Sequence, residues 1–149
     1  MSYLLLEYNS FKKETQKLSG IALLVDGKIC IVLPKKFKGS NKYSIPKGHI
    51  EPKYKNNAFL NAYIELREET GIDIGFRDPD SQFNYSYKKN GIIKRMSVFI
   101  IKLTKEEYKG LNKGKRKKKE IKKVKFVNKE EALNLVEVKF KKLIRYIYR

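Results

Sequence analysis

A single cysteine, Cys30, excludes any disulfide within the chain. It lies in a predicted apolar strand, so we expect a buried hydrophobic side chain rather than a reactive thiol. A single histidine, His49, excludes a Ser-His-Asp arrangement unless His49 itself takes part; hydrogen bonding within its loop is the expected role. No apolar run is long enough to span a membrane, and no signal peptide is recognisable. We therefore expect a soluble cytoplasmic protein with no membrane partner.

Acidic residues are few, 16 against 35 lysines and arginines, which gives a formal net charge of +19. Hydrophobic residues make up 41% of the 149 residues, enough to build a core, so global disorder is not expected. This length suits one domain over residues 1–149. Within it we expect residues 1–17 to form an N-terminal extension or edge element, and residues 109–120 to form a basic loop.

The densest run of acid contains Glu65, Glu68 and Glu69, spaced i, i+3 and i+4. If this segment is a helix, all three carboxylates lie on one face. Such crowding weakens a bare helix by roughly 0.2–0.5 kcal/mol per like-charged pair. A hard divalent cation that takes oxygen ligands would reverse this effect. A solvated helix face is the simpler interpretation of an acidic cluster, but this cluster stands in a strongly basic chain.

Helix signals surround the cluster. The predicted core-facing stripe is Phe59, Ala62, Tyr63 and Leu66. Asn56 or Asn57 can cap the start of the helix, and Gly71 is placed to end it in the left-handed conformation. Upstream, residues 43–52 predict a short strand that runs into a Gly/Pro-punctuated loop. That loop should bring backbone carbonyls to the carboxylate face.

These residues resemble the signature box of the Nudix hydrolases, G-x5-E-x7-R-E-U-x-E-E-x-G-U, in which U is a bulky aliphatic residue. The matching positions are Glu65, Leu66, Glu68, Glu69, Gly71 and Ile72. The interval from Gly48 to Glu65 is two residues longer than the pattern, with the insertion near residues 53–55. Asn56 stands at the position of the family's first Glu, and Ile64 at that of its Arg. The box is therefore degenerate.

The order of elements is also similar to the Nudix fold, from about residue 18 to residue 148. A hairpin is predicted at Asp26-Gly27 between two apolar runs, and a second at Asn90-Gly91, after a strand on which aromatic residues alternate. A strand over residues 121–127, a capped helix and an amphipathic terminal helix over residues 136–148 follow. The resemblance implies an α/β fold, a Nudix-like α/β/α sandwich with a mixed central sheet and a catalytic loop-helix.

The resemblance also implies chemistry. A Nudix hydrolase cleaves a phosphoanhydride with Mg²⁺, for which Mn²⁺ can substitute. The implied metal ligands are the carbonyl of Gly48 and the carboxylates of Glu65, Glu68 and Glu69. The same three glutamates are the implied catalytic residues. The general base is either Glu65 or, from a later loop, Glu120, which can equally be a lone acid in a lysine run.

Substrate contacts are assigned to basic and aromatic residues. The candidates for phosphate contact are Lys47, Lys94 and the run from Lys113 to Lys125, which includes Lys117, Lys118 and Lys119. His49, in the same loop as Lys47, is a further candidate for substrate contact. Tyr85 or Tyr87 could stack on a base, although alternating aromatics in a strand more often pack against their neighbours. In the 113–125 run nine of thirteen residues are Lys or Arg, which is also typical of a solvated loop.

Three functions compete. The first is hydrolysis of a nucleoside diphosphate linked to another group. Dinucleoside polyphosphates are preferred because residues 46–52 resemble members that cleave them, and diphosphoinositol polyphosphates would also suit the lysines. The second is removal of an RNA cap or 5′-terminal pyrophosphate, with RNA bound by residues 113–125. The third is a Nudix-fold nucleotide- or RNA-binding module that has lost turnover.

Overall fold

The computed structural model describes residues 15–35, 42–75, 77–116 and 120–149. In this part of the chain the strands are β1 (Thr15–Val25), β2 (Lys28–Pro34), β3 (Lys47–His49), β4 (Ile72–Asp73), β5 (Ser81–Lys89), β6 (Ile92–Leu103), β7 (Asn112–Lys113) and β8 (Ile121–Val127). The helices are α1 (Ala58–Thr70), α2 (Lys105–Lys109), α3 (Lys129–Leu135) and α4 (Val138–Ile147), with a 3-10 turn at Pro52–Tyr54. None of these helices has the length and apolar character needed to cross a membrane.

The main sheet is mixed and has the order β5-β6-β1-β2-β8, with β3 paired to β1 beside β2. Strand β1 runs parallel to β6 and antiparallel to β2 and β3. Strands β4 and β7 form a separate small pair. The parallel pairing of β1 with β6 joins two hairpins that are distant in the sequence. The expected mixed central sheet is confirmed.

Both predicted hairpin turns are present. Asp26 and Gly27 have φ of 48° and 79°, and Asn90 and Gly91 have φ of 53° and 77°. Two consecutive residues with positive φ form the turn whose twist matches that of the flanking strands. Asp26-Gly27 joins β1 to β2, and Asn90-Gly91 joins β5 to β6.

Helices cover both faces of the sheet. Along β1, Ile21 and Leu23 face α1 and pack with Ala62 and Leu66. The alternate residues of the strand face α3 and α4. On that side the core includes Leu18, Ala22, Leu24, Ala132, Phe140, Leu143 and Ile144. The expected α/β/α sandwich is confirmed.

Some elements differ from the expectations. Tyr43 and Ser44 form only isolated bridges, and the strand lies further on, at β3, where a loop was predicted. Residues 15–17 begin β1 and pair with residues 93–95 of β6. Residues 1–14 lie outside the described residues, so the expectation of an N-terminal extension or edge element over residues 1–17 stays a prediction. The terminal helix is α4, slightly shorter than the predicted span of 136–148.

The expected basic loop at 109–120 is not a loop throughout. Lys109 ends α2, and Asn112–Lys113 form β7 against β4. Helix α2 was not predicted, although Thr104 caps it and Glu107 completes a capping box. The Ser/Thr-x-x-Glu spacing was available in the sequence as a signal.

The buried thiol provides a test of the core. Cys30 is fully buried in β2, and burial, followed by the negative charge of Glu69, raises its pKa to about 12. Because the thiolate is the reactive form, we expect almost no alkylation of the native protein at mildly alkaline pH. Denatured protein should react readily under the same conditions. Mass spectrometry after iodoacetamide treatment would measure this, and equal labelling of both forms would contradict the buried placement.

A polar contact joins the middle of α1 to β4. The Tyr63 hydroxyl donates to the Asp73 carboxylate, which also accepts from the Gly75 N–H at 2.9 Å. These two bonds, with Arg67 nearby, hold the pKa of Asp73 below its usual range. A lowered carboxyl pKa contributes stability above the unfolded-state pKa, and this contribution is lost as pH falls through the folded-state pKa.

We therefore expect Tyr63→Phe to lower the free energy of unfolding by about 0.5–1.5 kcal/mol at neutral pH. The difference from wild type should shrink in acid, where Asp73 is protonated in both proteins. Urea unfolding at neutral and acid pH measures this, with Tyr54→Phe in the 3-10 turn as the control. A deficit that does not change with pH would contradict the role given to Asp73.

Candidate active site

Helix α1 starts and ends on specific caps. The Asn57 side chain accepts a hydrogen bond from the Leu60 N–H at 3.0 Å, so Asn57 rather than Asn56 is the N-cap. Gly71 ends the helix with φ of 80°, as expected for a left-handed C-cap. A Cβ at Gly71 would overlap the Gly114 carbonyl. This close approach holds the end of α1 against the segment that follows β7.

The acidic cluster does not form a solvated face. Glu65 and Glu69 are 7% and 5% exposed, whereas Glu68 is only partly buried. Asn61, 2% exposed, precedes Glu65 by one helical turn, so Asn61, Glu65 and Glu69 form one buried polar stripe. Of the predicted core-facing residues, Ala62 and Leu66 are fully buried, and the rings of Phe59 and Tyr63 are half-buried.

The buried carboxylates meet the backbone of β3. The Lys47 N–H donates to Oε2 of Glu69 at 3.2 Å. A Cβ at Gly48 would overlap the carboxyl group of Glu65 and lie 2.7 Å from its Oε2. Only glycine therefore allows Glu65 to approach β3 so closely. The structure brings together Gly48, Glu65 and Glu69, which the sequence had assigned to metal binding.

Sequence reasoning missed Asn61. Its amide Nδ2 donates to Oγ of the buried Ser19 at 2.9 Å, and its Oδ1 accepts from the Glu51 N–H at 3.2 Å. One side chain thus ties α1 to β1 and to the loop that leads into the helix. The i, i+4 spacing of Asn61 and Glu65 was the available signal, but a polar residue at that spacing is common on exposed helix faces.

The donor chemistry of this site fits a hard divalent cation. Carboxylate and carbonyl oxygens are the ligands that Mg²⁺ and Mn²⁺ prefer in proteins. In the described ranges, however, no three Asp, Glu, His or Cys side chains form a group that could hold a metal ion. Mg²⁺ is often bound by one or two carboxylates together with waters and substrate phosphates. Glu65 and Glu69 suit that kind of site better than a complete cage built from protein side chains.

Within the described ranges, the predicted substrate-binding residues lie on the other face of the sheet. Residues directly opposite each other on paired strands share a face, and the face alternates along each strand. His49, Leu18, Met96 and Tyr85 form one such row, and Gln16, Lys94 and Tyr87 form the next. Lys47 pairs with Gly20 on the same face. Gly48, between Lys47 and His49, points the opposite way, towards α1.

This face is positively charged. The Lys47 Nζ lies 6.0 Å from the centre of the Phe140 ring in α4, and Lys94 donates to the side-chain carbonyl of Gln16. Partial burial, together with the positive charges of Lys94 and Lys47, holds the pKa of His49 below its usual range. His49 is therefore neutral near pH 7 and able to accept or donate one hydrogen bond.

The two tyrosines differ in what they can contact. The Tyr85 ring lies 5.5 Å from the Phe83 ring and 6.1 Å from the Tyr87 ring, and burial raises its pKa above the usual range. Packing against neighbours, the alternative considered for these aromatics, describes Tyr85. Tyr87 lies at the edge of a cavity of about 550 Å³, beside the exposed Val138 and with the Lys139 Nζ 4.9 Å from its ring centre.

The remaining residues singled out in the sequence are Glu120, three lysines outside the described residues, and two positions just before α1 or within it. Glu120 is exposed at the start of β8, where its carbonyl accepts from the Lys35 N–H. Lys117, Lys118 and Lys119 lie outside the described residues, so their assignment stays a prediction. Asn56 is exposed in the turn before α1, and Ile64 is half-buried within it.

The family of the chain follows from its sequence, and the mixed sheet with its helices agrees with it. The sequence matches the NUDIX domain family over residues 16–147, so the chain belongs to that family and is a Nudix-type hydrolase. No curated protein sequence matches it significantly.

Solved structures show the same fold. An Ap4A hydrolase of C. elegans, in a binary complex, is 16% identical, with a TM-score of 0.66 over 89% of this chain and 95% of that one. A NUDIX hydrolase from Nitrosomonas europaea is 16% identical, with a TM-score of 0.68 over 90% and 88%. A bifunctional NMN adenylyltransferase/ADP ribose pyrophosphatase from Francisella tularensis, complexed with AMP and a Mn ion, is 15% identical, with a TM-score of 0.66 over 97% and 47%.

Proposed function

We propose that the protein hydrolyses a phosphoanhydride in a nucleoside diphosphate linked to a second group, with dinucleoside polyphosphates preferred over diphosphoinositol polyphosphates. One observation carries the proposal: the buried carboxylates of Glu65 and Glu69 meet β3 on one side, while Lys47 and His49 leave the same strand on the other. Acidic groups for a metal and basic groups for phosphates thus share one three-residue strand. A cytoplasmic location stays a prediction.

Different residues are proposed to bind the metal, to act as the base and to bind the phosphates. Glu65, Glu69 and the Gly48 carbonyl are the proposed metal ligands, with the less buried Glu68 beside them. A bound divalent cation would screen phosphate oxygens and lower the pKa of a bound water. Glu65 is the preferred base because it lies within this cluster, whereas Glu120 lies at the start of β8. Lys47 and Lys94 would bind phosphates, and neutral His49 would donate one hydrogen bond to a phosphate oxygen. A Mn ion in one similar structure supports the metal requirement.

The cavity beside Tyr87 supports a nucleoside moiety in the substrate. It lies between the end of the β5–β6 hairpin and the start of α4, where Tyr87 and Val138 offer apolar surface and Lys42 offers positive charge. Lys139, also in the lining, is paired with Glu137 at 3.2 Å. A base could rest on this surface while its phosphates extend towards Lys94 and Lys47. The Ap4A hydrolase among the similar structures supports the preference for dinucleoside polyphosphates.

A substrate panel tests the proposal. Dinucleoside tetraphosphate, ADP-ribose, a diphosphoinositol polyphosphate and capped RNA would be offered with Mg²⁺, with Mn²⁺ and with excess chelator, and each product identified by mass spectrometry. We expect metal-dependent turnover, fastest with the dinucleoside tetraphosphate. Turnover that survives the chelator would refute the metal assignment. Binding without turnover of any compound would favour the binding-module hypothesis.

One observation favours RNA 5′ ends as the second candidate. The edge strand β8 presents the exposed Lys122, Lys123 and Lys125, and Arg116 lines a cavity with them. A basic edge of this kind attracts a phosphate backbone without regard to sequence. If RNA is the substrate, kcat/KM for capped RNA should exceed that for the dinucleotide and should fall steeply as salt rises.

A further inference from the structure

A basic cavity of about 420 Å³ lies beside the start of α1. By strand register its two strand cations, Lys17 and Arg95, lie on the α1 face of the sheet, opposite the face that carries Lys47, His49 and Lys94. Its cations come from different segments: Lys17 of β1, Arg95 of β6, and Lys55, which follows the 3-10 turn. The polar residues that share the lining are Asn84, Ser86 and Ser97. No acidic residue of the described chain lines this cavity.

The strand register places these groups side by side. Lys17 pairs with Arg95, Arg95 pairs with Ser86, and Ser97 pairs with Asn84 on the same face. Neighbouring strands are about 4.8 Å apart, so Lys17 and Arg95 are adjacent like charges. Like charges directly opposite each other destabilise a sheet. An anion held between them would turn this repulsion into attraction.

Lys55 connects the cavity with the lengthened box loop. The extra residues between Gly48 and Glu65 fall near residues 53–55, and Lys55 is the member of that segment that lines the cavity. Ala58, the first residue of α1, lines it as well. In the described residues no ion pair joins Lys17, Lys55 or Arg95 to a carboxylate. The insertion therefore supplies the third cation of a cavity that has no counter-charge among the described residues.

We propose that this cavity binds a phosphate group at a site separate from the hydrolytic centre. The Arg95 guanidinium is suited to donate two N–H groups to a pair of phosphate oxygens, while Lys17 and Lys55 add charge. The side chains of Asn84, Ser86 and Ser97 offer neutral hydrogen bonds to the same oxygens. The phosphate belongs either to an unhydrolysed part of the substrate or to free phosphate, which presents the same oxygens.

Binding is tested without turnover, using inorganic tripolyphosphate and orthophosphate as probes on the metal-free protein. In ¹H–¹⁵N NMR spectra we expect the amide signals of Asn84, Ser86 and Ser97 to shift on titration. Arg95→Ala should weaken tripolyphosphate binding roughly tenfold. Lys28→Ala removes one charge from an exposed position at the start of β2, outside the cavity lining, and should change the affinity less than twofold. Equal weakening in both variants, or no shift at the three amides, would overturn the proposal.

Enzyme kinetics then identify the source of the phosphate. This kinetic experiment rests on the proposed function, whereas the binding experiment does not. If the substrate supplies it, Arg95→Ala should raise KM for a dinucleoside tetraphosphate several-fold and leave KM for ADP-ribose, with two phosphates, unchanged. If free phosphate supplies it, both KM values stay unchanged, and added phosphate alters kcat in wild type but not in Arg95→Ala. Either result supports the site. A protein without turnover would contradict the proposed hydrolysis and leave the binding result standing.

Discussion

Replacing Glu65 by Gln should lower kcat/KM by about 10²–10⁴-fold, the range typical of a lost general base. The change removes the negative charge of the carboxylate that lies against Gly48 and keeps its size, so the fold should persist. Relief of repulsion from Glu68 and Glu69 at i+3 and i+4 should make the metal-free variant no less stable than wild type. Steady-state kinetics on the best substrate of the panel and urea unfolding measure the two effects.

Two further variants sharpen this test. Glu106→Gln removes an exposed carboxylate from α2 and should leave kcat/KM within twofold of wild type. Glu120→Gln distinguishes the two candidate bases. If the base is Glu65, replacing the exposed Glu120 should lower kcat/KM only slightly. If Glu120→Gln loses as much activity as Glu65→Gln and keeps the stability of wild type, the base is Glu120.

Gly48→Ala should lower kcat/KM by about 10²-fold, the size expected when one oriented catalytic group is displaced. The new Cβ would overlap the Glu65 carboxyl group, which is the far end of a flexible side chain, so Glu65 can move aside at little cost to the fold. Activity should therefore fall much more than the unfolding midpoint.

Gly20→Ala is the matched comparison. There the added Cβ would lie 2.6 Å from the Pro46 carbonyl oxygen, and this backbone atom cannot rotate away. We expect Gly20→Ala to lower stability clearly, whereas Gly48→Ala mainly lowers activity. A Gly48→Ala protein with full activity, or one that unfolds as readily as Gly20→Ala, would show that Glu65 does not depend on this glycine.

Local sequence signals were sufficient to predict most of the fold. Asp26-Gly27 and Asn90-Gly91 specify their turns through backbone conformation alone, and Asn57 and Gly71 specify the ends of α1 through capping. Strand β3 escaped prediction because three residues carry no periodicity. Its extended conformation comes from pairing with β1, a contact between segments that are distant in sequence.

Local sequence signals likewise predicted one part of the candidate site and not the rest. The i, i+3, i+4 spacing identified the glutamates, because helical geometry alone puts them on one face. The spacing could not show that Glu65 and Glu69 are buried while Glu68 is not, since burial depends on where β3 lies. Likewise Arg95 and Lys17 are adjacent only through the β1–β6 register, which no local pattern encodes.

The parallel pairing of β1 with β6 also constrains how the protein folds. It joins residue 15 to residue 93 and continues in register to residues 25 and 103, so the chain between the strands closes a long loop. Closing such a loop lowers the entropy of the chain before the stabilising contacts between the strands have formed, so this non-local pairing slows folding. Helix α1 and β3 both lie inside that loop. During synthesis the glutamates therefore leave the ribosome well before the strand that completes their support, and hydrolytic competence should emerge late and all at once.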